Sequence, residues 1–123
     1  STNFYYYEGT KLVRVETDDN DITIYLSYAD NETNIVWKYG DSEYTRQTTR
    51  RYDEAGRLVY EKSVSPDPGA EIEESIITYE YDDEGRFSKI TTKIATKYYK
   101  SFGYSGFDYQ PYYDKHYEKL FEY

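Results

Sequence analysis

Residue types that carry enzymatic chemistry are scarce in this chain of 123 residues. It has no cysteine, so it lacks thiolate nucleophiles, disulfides and cysteine metal ligands. Its one histidine, His116, has no second histidine at the spacing that a histidine metal site needs. Residues 103–106, Gly-Tyr-Ser-Gly, match only half of a nucleophile elbow, because Phe107 stands where the final glycine belongs. We therefore predict a protein that is not an enzyme and has no catalytic residue, metal site or cofactor.

Carboxylates are abundant, but their positions point to turns. The chain has 24 acidic and 15 basic residues, which gives a formal charge of −9. Paired carboxylates could hydrolyse glycosides, and the clusters at 19–21 and 30–32 offer oxygen ligands for calcium. Neither cluster continues with the glycine and distant glutamate of a calcium loop, and no carboxylate pair stands out. Acidic side chains that cap turn amides are the simpler interpretation.

The negative charge also limits the partners. It repels phosphate backbones and anionic lipid headgroups, and the arginines lie beside acids or near turns, without an extended basic face. We therefore predict no nucleic acid partner. No run approaches the ~18–20 apolar residues of a membrane-spanning helix, so no transmembrane segment is predicted. Because residue 1 is serine and methionine is absent, we expect upstream sequence, with room for a signal peptide or a lipid anchor.

Aromatic rings are the binding chemistry that the sequence offers in quantity. The chain has 19 tyrosines, five phenylalanines and one tryptophan. Such rings stack on sugars and peptides while their hydroxyls form hydrogen bonds. One candidate place is Trp37, and the other is the tyrosine-rich stretch around a glycine and proline loop at 105–113. Its candidate ligand-binding residues are Tyr104, Tyr109, Tyr112 and Tyr113. The alternative is that these rings cover the open end of a repeat fold.

The elements that position these rings are predicted to be strands. Apolar residues alternate with polar ones in 22–28, 35–39 and 76–81, whereas helical periodicity is almost absent. We predict one all-β domain over 1–123, a single antiparallel meander of repeated hairpins. Its sheet is expected to be curved or partly closed into a barrel, with an aromatic-rich interior. An irregular tyrosine-rich part follows over 98–123, where a loop leads into a short helix or, slightly favoured, a last strand through Leu120.

A repeated turn motif is the most specific feature of the sequence. The segment 52–58, Tyr-Asp-Glu-Ala-Gly-Arg-Leu, recurs at 81–87 as Tyr-Asp-Asp-Glu-Gly-Arg-Phe, and degenerate copies begin at Tyr7 and Tyr28. The tyrosine ends a strand, the aspartate caps the turn, glycine supplies positive φ and the apolar residue restarts the inward face. The predicted structural residues are Tyr52, Asp53, Gly56, Arg57, Tyr81, Asp82, Gly85 and Arg86.

These turns resemble the YD repeats of Rhs and teneurin shell proteins. They resemble even more the short-repeat, porin-like domain of unknown function found in bacterial surface lipoproteins. Segments 4–13 and 79–90 carry the likeness, which covers roughly residues 4 to 94. The resemblance implies a curved antiparallel sheet around an aromatic-lined interior, in a bacterial protein that is secreted, periplasmic or held at the cell surface. It supplies no activity and no cofactor.

Two functions are compatible with these features. The first is a non-catalytic binding module for a glycan or peptide, which acts through Trp37 or the region 104–113. The second is a structural or protein-interaction domain, such as an acidic antagonist or immunity-type protein that binds a basic partner; the charge of −9 motivates it.

Overall fold

The computed structural model describes residues 2–18, 21–40, 45–65, 73–103 and 106–123, with backbone alone for 96–103 and 106–111. Every regular element in these ranges is a β-strand. The strands are β1 (Asn3–Glu8), β2 (Lys11–Thr17), β3 (Ile22–Ala29), β4 (Glu32–Tyr39), β5 (Thr45–Tyr52), β6 (Leu58–Ser65), β7 (Glu73–Tyr81), β8 (Phe87–Gly103) and β9 (Gly106–Leu120). The all-β prediction is confirmed.

The strands form one sheet in the order in which they occur along the chain. Each strand pairs antiparallel with the next, from β1 at one edge to β9 at the other. The predicted antiparallel meander of hairpins is therefore confirmed. The sheet is open, because β1 and β9 are its two edges and do not pair with each other. The expected alternative of a partly closed barrel does not occur.

This sheet is a single layer with a sparse core. Each strand packs mainly against its immediate neighbours. Among the described side chains, Ile35 (7% exposed) and Ala95 are the buried apolar residues, and Thr48 and Glu74 are the buried polar ones. Most described rings are half-buried or exposed on the sheet's faces. These residues therefore do not form the enclosed, aromatic-rich interior that the sequence predicts, because an open sheet has no inside.

One face of β2 to β4 is the more apolar. Side chains of paired residues project from the same face, and the register places Val15 opposite Ile24 and Ile24 opposite Trp37. Ile35 lies on this apolar face between Leu26 and Thr48, which explains its burial. The opposite face carries Arg14, Tyr25, Val36 and Gln47 in a row.

The carboxyl-terminal region is more regular than its sequence suggests. The predicted loop at 105–113 is wrong for 106–113, which belongs to β9 and pairs with residues 95–103 of β8. The strand favoured through Leu120 is confirmed. The wrong prediction rested on Pro111, since proline cannot donate a hydrogen bond to an inner ladder. Proline is tolerated on an edge strand, and β9 is an edge. The sequence Pro-Asp-Pro-Gly at 66–69 predicts a connecting loop, and these residues lie outside the described ranges.

Candidate functional site

The first motif copy forms a tight turn around Asp53. Its Oδ1 accepts hydrogen bonds from the backbone amides of Ala55 and Arg57, each at 2.9 Å. Its Oδ2 accepts from Arg57 Nε at 2.8 Å. The Gly56 amide donates to the Asp53 carbonyl at 2.9 Å, and Gly56 has a φ of 82°. Asp53 therefore caps the turn, and Gly56 supplies its positive φ.

The second motif copy repeats this geometry. Asp82 Oδ1 accepts from the amides of Glu84 and Arg86 at 2.9 Å, and Oδ2 accepts from Arg86 Nε at 3.0 Å. Gly85 has a φ of 81°. Both copies also contain a register shift at the leading tyrosine, between Arg51 and Tyr52 and between Glu80 and Tyr81. The seven-residue repeat in sequence is therefore a repeat in three dimensions.

Hydrogen bonds to the two turn aspartates change their titration. The backbone amide of Arg57 is the main cause that lowers the pKa of Asp53, and the amide of Arg86 does the same for the pKa of Asp82. The folded-state pKa values lie below those of the unfolded chain, so the ionised carboxylates stabilise the fold above the unfolded values. That contribution is lost as the pH falls through the folded values.

The four turns at 9–10, 30–31, 53–57 and 82–86 lie at one end of the sheet, here called the motif end. The other four pairs of neighbouring strands are not joined by a turn at this end. We call the place where such a pair ends an open junction; the four are β2/β3, β4/β5, β6/β7 and β8/β9. At three of the open junctions, β2/β3, β6/β7 and β8/β9, a tyrosine lies three positions after the last ladder residue of the later strand. These tyrosines are Tyr28, Tyr81 and Tyr123. These three tyrosines hold the ends of otherwise unjoined strands.

Each of these tyrosines is held by the preceding hairpin. The Tyr28 hydroxyl donates to the Leu12 carbonyl at 2.7 Å, and the Tyr81 hydroxyl donates to the Leu58 carbonyl at 2.6 Å. A cation that follows the preceding turn stacks on each ring. The cations are Lys11 on Tyr28 (5.2 Å to the centroid), Arg57 on Tyr81 (4.6 Å) and Arg86 on Tyr123 (4.1 Å). We call this arrangement the tyrosine clasp.

The clasp's hydroxyl is expected to stabilise the fold measurably. Tyr81→Phe removes the hydrogen bond to Leu58 and leaves that carbonyl without it, so the free energy of unfolding should fall by about 1 kcal/mol. Urea unfolding monitored by circular dichroism gives the value. Tyr79→Phe is the matched control, since the Tyr79 hydroxyl makes no hydrogen bond among the described residues and burial raises the pKa of that hydroxyl. An equal loss of unfolding free energy in the two variants would show that the Tyr81 hydroxyl does not stabilise the fold through this hydrogen bond.

The β2/β3 open junction holds a cavity of about 410 Å³. It is lined by Glu8, Lys11, Val13, Leu26, Ser27 and Tyr28. The ladder between β2 and β3 spans only three residue pairs and ends at Arg14 and Tyr25, so the strands part beyond that point. The volume falls within the range of pockets that bind small ligands. We call it the junction cavity.

The sequence of the degenerate motif copy at 7–12 explains why space is left here. Arg57 and Arg86 fill their junctions with guanidinium groups anchored by Asp53 and Asp82. Lys11 follows a two-residue turn, forms no ion pair within the described chain and lies farther from its tyrosine ring. Glu8, its register partner across the turn, also has a carboxylate without an ion pair or hydrogen bond to the described residues. A carboxylate and an ammonium, neither of which forms an ion pair with the described residues, therefore line the same cavity.

The residues predicted to bind a ligand lie elsewhere and in two separate places. Trp37 is half-buried on the apolar face, with the Arg46 guanidinium 5.2 Å from its ring centroid. Tyr112 (59% exposed) and the half-buried Tyr113 lie on β9, five strands away, or roughly 24 Å at the usual strand spacing. Tyr109 is in β9 opposite Lys100, and Tyr104 lies outside the described residues. Trp37 and the carboxyl-terminal tyrosines do not form one site.

Sequence reasoning missed the junction cavity, although a signal was present. The degenerate motif copy at 7–12 was recognisable, and its departures from the strong copies are a shorter turn and Lys11 in place of arginine. These departures remove the groups that fill the other junctions. The sequence could not show that Tyr28 lies beside Lys11, because the separation between cation and tyrosine is not constant. Tyr28 follows Lys11 by 17 residues, whereas Tyr81 follows Arg57 by 24.

Comparison with protein-family models, with curated proteins and with solved structures finds no match to this chain. The resemblance to YD-repeat and surface lipoprotein domains thus stays a prediction. Within the described ranges, no helix is present that is long and apolar enough to cross a membrane. The same residues include no group of three or more histidine and carboxylate side chains placed to hold a metal ion.

Proposed function

We propose that this chain is a non-catalytic binding domain whose ligand is a glycan, bound at the junction cavity. The single observation that carries the proposal is one open cavity lined by an exposed tyrosine ring, a carboxylate and an ammonium, with no ion pair from either charge to the described residues. Trp37 and the tyrosines of β9 are not needed for it, although they were the residues that composition favoured.

The lining matches the chemistry of a sugar ring. Sugars present hydroxyls that both donate and accept hydrogen bonds, next to C–H faces that pack on aromatic and aliphatic groups. Glu8 supplies acceptors, Lys11 supplies donors, and the Ser27 hydroxyl can do both. Val13 and Leu26 supply apolar surface, and Tyr28 is 39% exposed. The polar groups are few and convergent, as in most small-ligand sites.

A location outside the cytoplasm completes the proposal. A surface, secreted or periplasmic position gives a glycan-binding domain access to its ligand, and the resemblance of the turn motif to bacterial surface lipoproteins supports it. Expression of the complete open reading frame followed by cell fractionation tests this location. Recovery in the cytoplasmic fraction alone would contradict it.

Binding can be tested by titrating neutral oligosaccharides into the protein in a calorimeter. The methyl resonances of Val13 and Leu26 should shift on binding, which places the ligand in the junction cavity. Lys11→Gln and Glu8→Gln should each weaken binding by roughly tenfold, because each removes a charged hydrogen-bonding group.

Lys119→Gln is the matched control for Lys11→Gln. Lys119 also lies over an aromatic ring, with its Nζ 5.0 Å from the centroid of Phe121, but at the other edge of the sheet. It should leave the affinity unchanged. No heat across the panel, or shifts confined to the surroundings of Trp37 or Tyr112, would refute the proposed site. Binding of unstructured peptides but not of sugars would replace the glycan with a peptide.

A protein-interaction domain is the second candidate, and the formal charge of −9 favours it. Of the described carboxylates, those of Asp53 and Asp82 are engaged in their own turns, so a basic partner would be held by the remaining exposed acids. Binding to basic proteins should then weaken steeply as salt is added. Capture that is insensitive to salt would contradict this electrostatic version.

A further inference from the structure

β1 forms one edge of the sheet built by the described residues. Every residue of β1 is exposed, and in the part of the chain that the structure describes no strand pairs with its outer side. Residues 3–7, Asn-Phe-Tyr-Tyr-Tyr, include neither a charge nor a proline. Proteins ordinarily use charges, prolines and bulges to keep such edges from pairing with other chains.

The other edge of the sheet carries the protection that β1 lacks. β9 contains Pro111 and a series of charged residues, whereas residues 3–7 of β1 contain neither. Both edge strands shift register with their neighbour, β9 near Ala95 and β1 between Tyr6 and Tyr7. The charged residues of β9 with described side chains are Asp114, Lys115, Glu118 and Lys119. Only one of the two edges is thus suited to accept a further strand.

Backbone alternation shows which groups of β1 are free to pair. The Asp18 amide donates to the Thr2 carbonyl at 3.2 Å, so Thr2 bonds towards β2. In an antiparallel ladder every second residue bonds to the same neighbour, so Phe4 and Tyr6, paired with Glu16 and Arg14, also bond towards β2. The amide and carbonyl groups of Asn3 and Tyr5 therefore point outwards.

We propose that two copies of this chain associate through β1, antiparallel, about a two-fold axis at Tyr5. This register places Tyr5 opposite the partner copy's Tyr5 and Phe4 opposite the partner copy's Tyr6, so three aromatic cross-strand pairs form. Tyr5 shares its face with Val15 and Ile24, so the apolar faces of the two copies become continuous. Aromatic cross-strand pairs stabilise antiparallel sheets.

The geometry selects a second β1 over the other edge as the occupant. Nine strands alternate in direction, so β1 and β9 run the same way. With the apolar faces of both copies on the same side, pairing of β1 with β9 of another copy would be parallel. In either orientation it would meet Pro111 and charged side chains and would leave an open-ended array. Pairing of β1 with β1 is antiparallel and closes as an isologous dimer. This inference does not depend on the proposed glycan function.

Sedimentation equilibrium over a concentration series is the primary test. The dimer should be present and should strengthen with added salt, because each copy carries a formal charge of −9. Tyr5→Lys should raise the dissociation constant by at least about tenfold, since it replaces an aromatic pair with two opposed like charges. A wild-type chain that stays monomeric at every concentration and salt level overturns the proposal.

Tyr117→Lys is the matched control on the protected edge. Tyr117 is 57% exposed on β9 and Tyr5 is 55% exposed on β1, so the two substitutions differ mainly in the edge that they alter. Tyr117→Lys should leave dimerisation unchanged, and an equal loss in both variants overturns the β1 interface.

Cysteine crosslinking gives an independent measurement of the register. The chain has no cysteine, so Tyr5→Cys introduces one thiol per copy. Directly opposed residues of an antiparallel pair have Cα atoms about 5.5 Å apart, which a disulfide can span. Tyr5→Cys should crosslink rapidly on mild oxidation and Tyr117→Cys should not. Equal crosslinking of the two variants overturns the proposed register, even if Tyr5→Lys fails to fold.

Discussion

Replacing Ile35 with alanine is expected to lower the free energy of unfolding by ~2–5 kcal/mol. Ile35 is the large apolar side chain that the described sheet buries most fully, at 7% exposure. It lies on the apolar face between Leu26 and Thr48, and Thr48 is itself 2% exposed. A single layer has no second sheet or helix that could move in to fill the space left by the missing atoms.

The size of this loss matters because small domains are only marginally stable, by about 5–15 kcal/mol. Urea unfolding of Ile35→Ala and of wild type, monitored by circular dichroism, measures the difference. Leu120→Ala is the control, since it removes a similar number of atoms from a side chain that is 69% exposed on β9. Its effect should stay within about 0.5 kcal/mol. If the two variants lose the same stability, Ile35 is not the centre of the core.

Replacing Gly56 with alanine should cost about 1–2 kcal/mol of stability, although no atom obstructs the new methyl group. Its φ of 82° is a left-handed backbone conformation in which a Cβ is strained, and nothing lies within 4 Å of the Cβ position. Gly85→Ala should behave alike, because its nearest neighbour there, Arg57 Nη1, is at an ordinary contact distance of 3.8 Å.

Asparagine at the same position separates backbone strain from loss of glycine as such. Asparagine tolerates positive φ better than alanine does, and in this chain Asn31 already adopts a φ of 58°. The stability order should therefore be glycine, then asparagine, then alanine at position 56, as measured from thermal or urea midpoints. An alanine variant as stable as asparagine would show that the turn relaxes without cost.

The tyrosine clasp explains how a sheet with so little buried apolar area can hold its strands together. At the motif end, β2/β3 and β6/β7 are joined by neither a turn nor a full ladder, and the clasp bridges the gap with a hydroxyl and a stacked cation. Each stacked cation contributes on the order of 0.5–1 kcal/mol at an exposed site. The fourth open junction, β4/β5, has no clasp, because its ladder continues to Glu32 and Arg51 and the Tyr52 amide reaches the Asn31 carbonyl at 2.9 Å.

The sequence alone determined the strands and the turns of this protein. Both depend on local physics: a period of two exposes one face of a strand, and Asp53, Gly56 and their counterparts have few alternatives to a capped turn with positive φ. The same local reasoning failed at 106–113, where Pro111 favours a loop by itself but is accommodated at the edge of a long hairpin.

Tertiary structure alone decided where rings, cations and strands meet. Tyr28 lies next to Lys11 and Tyr81 next to Arg57 because ladder register brings them together, and register depends on the lengths of all the intervening hairpins. The sequence also could not show whether the sheet closes, which decides whether the tyrosines form an interior or remain on open faces. The junction cavity and the free edge of β1 are both consequences of an open sheet.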